Sequence, residues 1–524
     1  MNILGVHGNT GTWSDGVHDS SIALISNGKF AGIFEEERFS RIKHDSSPFP
    51  NKAIKQLLKF HNLSYKDIDY FDVHDFDCLT AFSKLSGKQL SDNNQCTQHH
   101  LSHACESFYL SGFESAVVLV IDGFGNQDDS ASIFYATTDK ITLLKRYNKK
   151  FSLGKFYSKG CSFSGIGDFT KAGSLMGLSS YGTDTGDRFL RFVDGEIQFV
   201  CGDDKYKWMN SIFPFTENFD SVNVIAYANL AKTIQHNFNE IVIDLVKYAK
   251  QLCPNETNLC LSGGCVQNCI GNDLICQSGV FEHYYCSPIP HDGGISIGNA
   301  YCNVKYADDQ LEIKRYNHSY FGCQYPVETA IKYANDKHLK ISTLSLDQLA
   351  DKINQGQIFG YFEGRSEAGP RALGHRSILA RPDSKQIANK INQQIKHRED
   401  WRPFAPIILD KLFDDIFDCK NHDLCQFMLR TIKIKENKQK YLQGVCHVDG
   451  TTRPQILYND VNQNLYKLLK ILYLKYNCIG VLNTSFNGPG EPIIETPEQA
   501  IDFLIKTPSI DGVVFEGKYL ITVK

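Results

Sequence analysis

Short apolar runs separated by turn residues dominate the first part of the chain. Ile3-Leu4-Gly5-Val6, residues 21–25 and residues 29–34 read as strands, and Asn27-Gly28 between the last two is a tight-hairpin dipeptide. A second strand-rich block begins at residues 116–121, turns at Asp122-Gly123 and continues through 132–136 and 141–144. The same order, a strand, then Asp or His with small residues, then a hairpin, occurs twice and predicts two related lobes. From Asn223 to Lys250, Ile225, Ala228, Ala231, Ile234, Phe238, Ile241, Leu245 and Ala249 fall at spacings of three and four, which predicts a core helix. A strand over 259–261 runs into Ser262-Gly263-Gly264, with another helix expected from near Cys265. Strands and helices mix throughout, so the fold class is α/β. The pattern weakens between Arg315 and Val327, around Gly322 and Pro326, and a new series of helices and strands begins at Leu344. With no low-complexity tract or long Gly/Ser linker, two packed domains are expected, over 1–325 and 340–524.

Composition narrows the classes of function. A chain of 524 residues exceeds one compact core, and 42% hydrophobic with 12% aromatic residues marks a folding chain. Lys plus Arg at 55 against Asp plus Glu at 59 provides no global cationic field, so nucleic acid is not expected as a partner and any anion site must be local. The longest purely aliphatic run, 116–121, is six residues, against the roughly 20 of a membrane span. The N-terminal stretch has no basic region followed by a signal-type apolar segment, so the expected compartment is the cytoplasm. None of the 17 cysteines forms a Cys-x-x-Cys pair, which predicts reduced, mostly buried thiols.

Several constellations carry chemistry. In His99-His100-Leu101-Ser102-His103-Ala104, His99 and His103 share a helix face and can either point at one metal ion or serve as capping or core histidines. Asp122 and Asp292 each stand where a strand end delivers a carboxylate to a cleft, positions that also suit turn residues. No P-loop string occurs; Asp122-Gly123-Phe124-Gly125 and Ser262-Gly263-Gly264-Cys265-Val266-Gln267-Asn268 are instead glycine turns after apolar strands, where backbone N–H groups approach phosphate closely. Residues 365–402 hold nine basic against four acidic side chains, beside Gly364, Gly369, Pro370 and Gly374, which fits a compact phosphate pocket. Asn483-Thr484-Ser485-Phe486-Asn487 ends an apolar strand with amide and hydroxyl groups suited to a carbamoyl-sized ligand, or to a turn.

Together with His18-Asp19-Ser20-Ser21, residues 35–44, Met176-Gly177-Leu178, residues 369–379, Arg402-Pro403-Phe404-Ala405-Pro406 and residues 449–455, these strings resemble the O-carbamoyltransferase family of the nodulation, cephamycin and tobramycin type over nearly the whole chain. The resemblance implies an ASKHA-type ATP-binding domain of two RNase H-like lobes over 1–325, followed by a YrdC-like α/β domain over 340–524 that takes carbamoyl phosphate. It implies ATP as cofactor, a carbamoyl-adenylate intermediate and a small hydroxyl-bearing acceptor such as a sugar, glycoconjugate or secondary metabolite. Carried over by motif, His99, His103, Asp122 and Asp292 hold a divalent metal, Fe(II) in the family, with Mg(II) the other candidate beside ATP. Gly123, Gly263, Gly264, Gln267 and Asn268 fall to ATP. His18 is the base for the acceptor hydroxyl, Lys43 approaches the nucleotide or the acceptor, and Arg371, Lys396, Arg402, Arg453, Asn483 and Ser485 surround carbamoyl phosphate. A homodimer is expected.

Two departures from the family pattern stand out. Gly173-Ser174-Leu175 replaces the usual Gly-Lys before Met-Gly-Leu, which leaves that phosphate contact to another residue. Ser366 and Ala368 replace bulkier residues before Gly-Pro-Arg and are expected to reshape the small-molecule pocket. The competing readings are a tRNA threonylcarbamoyl-adenosine enzyme with its YrdC-like partner fused, and a catalytically silent ATP-binding module.

Overall fold

A computed structural model describes residues 1–8, 18–73, 80, 83–84, 87, 98–200, 224–302 and 311–523. Strands β1 (Asn2–His7), β2 (Ser21–Ser26), β3 (Lys29–Glu35) and β4 (Tyr70–Val73) form a sheet in the order β3-β2-β1-β4, antiparallel except for the β1–β4 pair. The β2–β3 turn is the expected Asn27-Gly28, with φ of 49° and 74°, the left-handed pair that a two-residue hairpin requires.

The second sheet repeats the plan. Strands β5 (Ser115–Ile121), β6 (Asp129–Thr137) and β7 (Ile141–Asn148) form a meander; after a small hairpin of β8 (Leu190–Val193) and β9 (Glu196–Phe199), β10 (Asn258–Ser262) and β11 (His283–Cys286) add in parallel, giving β11-β10-β5-β6-β7. Each sheet is thus a meander whose first strand accepts a parallel neighbour. That shared order makes two related lobes, as the sequence pattern predicts. β5 is buried on both faces from Ala116 onward, as its unbroken apolar run requires.

Helices His99–Ser111 and Ile295–Cys302 fill the space between the sheets, the first against β5 and β10 and the second against β1 and β2. They cross so closely that a Cβ on Gly298 would lie 1.9 Å from the Ser102 carbonyl oxygen. The long core helix runs Val224–Leu252; Asn223, where its pattern begins, lies outside the described residues.

The second half is built on an eight-stranded mixed sheet in the order Lys340–Thr343, Tyr519–Thr522, Gly512–Phe515, Phe359–Phe362, Arg376–Ala380, Val481–Ser485, Ala405–Leu409 and Gln455–Leu457. Helix Val327–Asp336 occupies the stretch between the two expected domains, and its Ala330 and Ala334 pack in the core of this second half. Polar contacts stitch the halves: Arg41 donates to the carbonyls of Pro492 and Ile493 at 2.8 Å each, Arg38 to that of Gly369 at 2.6 Å, and the Gly369 N–H to Glu35 Oε2 at 3.0 Å. The 14 described cysteines are all free, eight of them buried, while Cys78, Cys96 and Cys201 lie outside the described residues. Among the described residues no helix is long and apolar enough to cross a membrane.

Candidate active site

The two histidines a turn apart, His99 and His103, lie on one face of helix His99–Ser111 and meet two carboxylates arriving on separate strand ends. Asp122 follows β5, and its Oδ1 is fixed by the Gly264 N–H at 3.1 Å; Asp292 opens the turn after β11, behind His291. His99 Nε2 is 2.9 Å from Asp122 Oδ2 and 3.6 Å from Asp292 Oδ1, and His103 Nε2 is 3.6 Å and 3.7 Å from the same two atoms. His103 Nε2 is buried and has no hydrogen-bond partner. One ligand atom from each residue lies within 4.8 Å of the others, and ligands at about 2.1 Å from a common ion would sit about 3–4 Å apart. Two imidazoles and two carboxylates therefore fit a borderline divalent cation. The neighbouring His100 turns away, its Nδ1 2.8 Å from Ser132 Oγ. Burial alone would lower His103, but Asp122 and Asp292 outweigh it and raise it to about 10; burial would raise Asp122, but His103 and His99 hold it well below the carboxylate range. A proton on the cluster is what a cation would replace.

His18 stands beside this cluster in a second set of imidazoles. Asp19, in the left-handed region with φ of 66°, accepts from His18 Nδ1 at 2.8 Å and from His44 Nδ1 at 2.9 Å, with His291 Nδ1 at 3.3 Å. A proton on His18 Nδ1 leaves Nε2 as the basic nitrogen. Phe169 stacks on the His18 ring, centroids 4.8 Å apart. Burial opposes the charge on His18, yet the hydrogen bond to Asp19 and the charges of Asp292, Asp19 and Asp122 lift it to about 9. Burial lowers Lys43, with Arg402 and Arg371 of the other half adding to the effect against the pull of Glu37.

The basic stretch folds into a pocket facing that space. Burial and the neighbouring Arg453 and Arg402 lower Arg371 to about 9, and burial with Arg402 and Arg453 does the same to Arg398. Arg371 Nε is buried without a partner. Guanidinium groups crowded together this way form a ready anion site. Of the six residues expected around carbamoyl phosphate, Arg371, Arg402 and Ser485 line the cavity and Arg453 stands close enough to depress Arg371. Lys396 and Asn483 are turned to protein partners. Lys396 Nζ donates to the Ser485 and Asn487 carbonyls at 2.8 and 3.0 Å and shapes that turn, and Asn483 Nδ2 donates to the Ala372 carbonyl at 2.8 Å, bracing the loop that carries Arg371.

One cavity of about 520 Å³ joins these groups, lined by His99, Asp122 and Asp292 at one end, His18 and Lys43, and Arg371, Arg402, Ser485 and Asn487 at the other. Gly123, Gly264, Gln267 and Asn268 also line it. Gly263 does not: with φ of 94°, its place for a Cβ lies 2.3 Å from the Ile121 carbonyl oxygen, so it is glycine to let β10 turn past β5. The helix expected from near Cys265 is instead a single turn, Gly264–Gln267, followed by helix Cys269–Ser278, whose cap is Asn268 accepting from the Gly271 N–H at 3.0 Å. Asn268 also exchanges hydrogen bonds with Gln235 at 3.0 and 3.1 Å. Ser174, at the position where the resemblance led to the expectation of Lys, donates to Glu399 Oε1 at 3.1 Å, whereas Lys155, which the sequence reading missed, lines the cavity beside Gly123 with its ammonium 4.1 Å from the Phe124 ring centre. Arg398, Asn487, Asp19, His44 and His291 were likewise not singled out, although all lie in or beside the motif strings. Ser366 and Ala368 are buried off the cavity wall.

Comparison with known proteins covers both halves of the chain. The family model described as Carbamoyltransferase N-terminus matches residues 13–93 and 78–301, and that described as Carbamoyltransferase C-terminus matches 350–522. The chain is 28% identical to nodulation protein NolNO of Sinorhizobium fredii over 96% of its own length and 79% of that protein. It is 30% identical to 3'-hydroxymethylcephem-O-carbamoyltransferase of Amycolatopsis lactamdurans, over 91% and 92%. Among solved structures, full-length HypF in its phosphate- and nucleotide-bound form aligns with a TM-score of 0.38 at 15% identity, covering 59% of this chain and 56% of that one.

Proposed function

This chain belongs to the carbamoyltransferase family, and from that premise we propose that it is an ATP-dependent O-carbamoyltransferase using carbamoyl phosphate. The observation that carries the proposal is the continuous cavity, which puts an anion pocket of arginines, a histidine and a carboxylate–imidazole cluster along one space.

At the arginine end, Arg371 and Arg402 pair with the phosphate of carbamoyl phosphate while the Ser485–Asn487 turn, shaped by Lys396, faces the carbamoyl group. Water addition there yields carbamate and phosphate. Carbamate then attacks the α-phosphorus of ATP, forming carbamoyl-adenylate and releasing pyrophosphate. ATP lies along Gly123, Gly264 and Gln267, with Lys155 supplying the cationic contact that Ser174 does not. A divalent cation held by His99, His103, Asp122 and Asp292 would offset phosphate charge in this low-dielectric space. His18 Nε2, with Nδ1 held by Asp19, removes the acceptor hydroxyl proton; the alkoxide attacks the carbamoyl carbon, AMP leaves and the carbamate ester forms. The acceptor is a small hydroxyl-bearing molecule of the sugar or secondary-metabolite class, and the reaction belongs in the cytoplasm with its ATP and carbamoyl phosphate.

The test is pyrophosphate release from ATP by the purified protein with Fe(II), with and without carbamoyl phosphate and without acceptor. Release that requires carbamoyl phosphate is expected. ATP binding with no pyrophosphate release under any of these conditions would overturn the carbamoyl-adenylate route.

A further inference from the structure

We propose that Ser262 and Glu106 are positioning residues for His103, holding its imidazole with the proton on Nδ1 so that Nε2 faces a cation. The inference rests on the metal reading of the His99, His103, Asp122 and Asp292 cluster.

Three elements converge behind His103. Glu106 lies one turn further along the same helix, Ser262 ends β10, and Ser287 follows β11; all three side chains are fully buried. Ser262 Oγ lies 3.2 Å from His103 Nδ1 and donates its proton to Glu106 Oε2 at 3.0 Å. Ser287 Oγ bonds Glu106 Oε1 and accepts from the Ile289 N–H at 3.0 Å, which fixes the far side of the carboxyl group. A hydroxyl has one proton. With that proton committed to Glu106, Ser262 can offer His103 only a lone pair, so Nδ1 keeps its hydrogen and Nε2 is the nitrogen that gives up its proton and offers an electron pair when a cation enters. That Nε2 is the buried atom with no hydrogen-bond partner, between Asp122 and Asp292. Fixing ring orientation and tautomer through the far nitrogen is how a protein strengthens an imidazole ligand.

The experiment is titration of the metal-free, full-length protein with Co(II), read by the visible d–d absorption of the bound ion, for the parent, Ser262→Ala, Glu106→Gln, His103→Ala and the Ser262→Ala/His103→Ala pair. Ser262→Ala is expected to weaken Co(II) binding about tenfold or more, and Glu106→Gln, whose amide oxygen still accepts from Ser262, to stay within about threefold of the parent. In the His103→Ala background Ser262→Ala should add nothing, which a general loss of packing would not reproduce. Should Ser262→Ala fail to fold by circular dichroism, Glu106→Leu interrupts the same relay. Parent-like Co(II) affinity in a folded Ser262→Ala protein, or an additive loss in the pair, overturns the relay alone. No Co(II) binding by the parent overturns the metal reading and the relay with it.

Discussion

His18 carries a proton more readily than a free imidazole because Asp19, Asp122 and Asp292 surround it, overcoming burial and raising it to about 9. A raised imidazole stabilises the folded chain fully below its ordinary value of 6.5, and that contribution is lost as pH rises through about 9. The same shift leaves little free base near neutral pH. Two of the three acids responsible, Asp122 and Asp292, belong to the cluster proposed to hold a cation, so a dication between them would cancel their effect. An NMR titration is therefore expected to place His18 near 9 in metal-free protein and lower with Zn(II) bound; an unchanged value would show the cation sits elsewhere. His18→Ala should leave carbamoyl phosphate-dependent pyrophosphate release intact and abolish transfer to an acceptor, and equal loss of both would remove it as the base. Arg371 acts one step earlier. Its loss removes charged hydrogen bonds of about 1.5–3 kcal/mol, so Arg371→Ala should raise the KM for carbamoyl phosphate about 10–100-fold while calorimetric ATP affinity stays constant. Arg371 could be picked out from the basic stretch it sits in, whereas His18 was picked out only by the resemblance of His18-Asp19-Ser20-Ser21 to a family string. Lys396 and Asn483 were legible as members of the pocket but not in their direction, since Lys396 is captured by the Ser485–Asn487 turn and Asn483 by Ala372, contacts made only when distant strands pair. Asp19 escaped notice for the same reason: its three imidazole neighbours come from positions 18, 44 and 291.

Among the elements, hairpins and long helices followed directly from pattern, because Asn27-Gly28 and the three-and-four spacing of 228–249 are local signals. The turn after β10 did not. Its Gly264–Gln267 segment bends because Gly264 bonds Asp122 and Asn268 claims the helix cap, neither of which is a matter of propensity. The crossing of helices His99–Ser111 and Ile295–Cys302 is equally invisible in one sequence, yet it lies one residue from His103. Gly298 meets the Ser102 carbonyl at the place a Cβ would occupy, 1.9 Å away, and Ser102 precedes His103. Gly298→Ala must push the helices apart, at a cost of about 1–3 kcal/mol by urea unfolding. Because the displaced turn carries His103, Co(II) affinity should fall as well; a stability loss with parent-like metal affinity would separate the crossing from the cluster.

Across the whole molecule the two halves meet through the arginine contacts of Arg38 and Arg41, and the cavity crosses that seam. Gly173 stands on the cavity wall next to Ser174, which bonds Glu399 and whose carbonyl accepts from Trp401 Nε1 at 3.1 Å, so it marks the junction from the first half's side. A Cβ at Gly173 would meet nothing within 4 Å, which leaves room for a large side chain to enter the space without disturbing the wall. Carbamate has to cross this junction if it is made among the arginines and consumed beside Gly123 and Gly264. Gly173→Trp should therefore leave phosphate release from carbamoyl phosphate and calorimetric ATP binding near parent values while carbamoyl phosphate-dependent pyrophosphate release falls about tenfold or more, a loss of coupling equivalent to about 1.4 kcal/mol on that step. The contrast between the two releases is what separates a blocked passage from a damaged pocket. Loss of phosphate release would mean that the indole reaches the arginines, and retention of both releases would mean that carbamate takes a route away from Gly173.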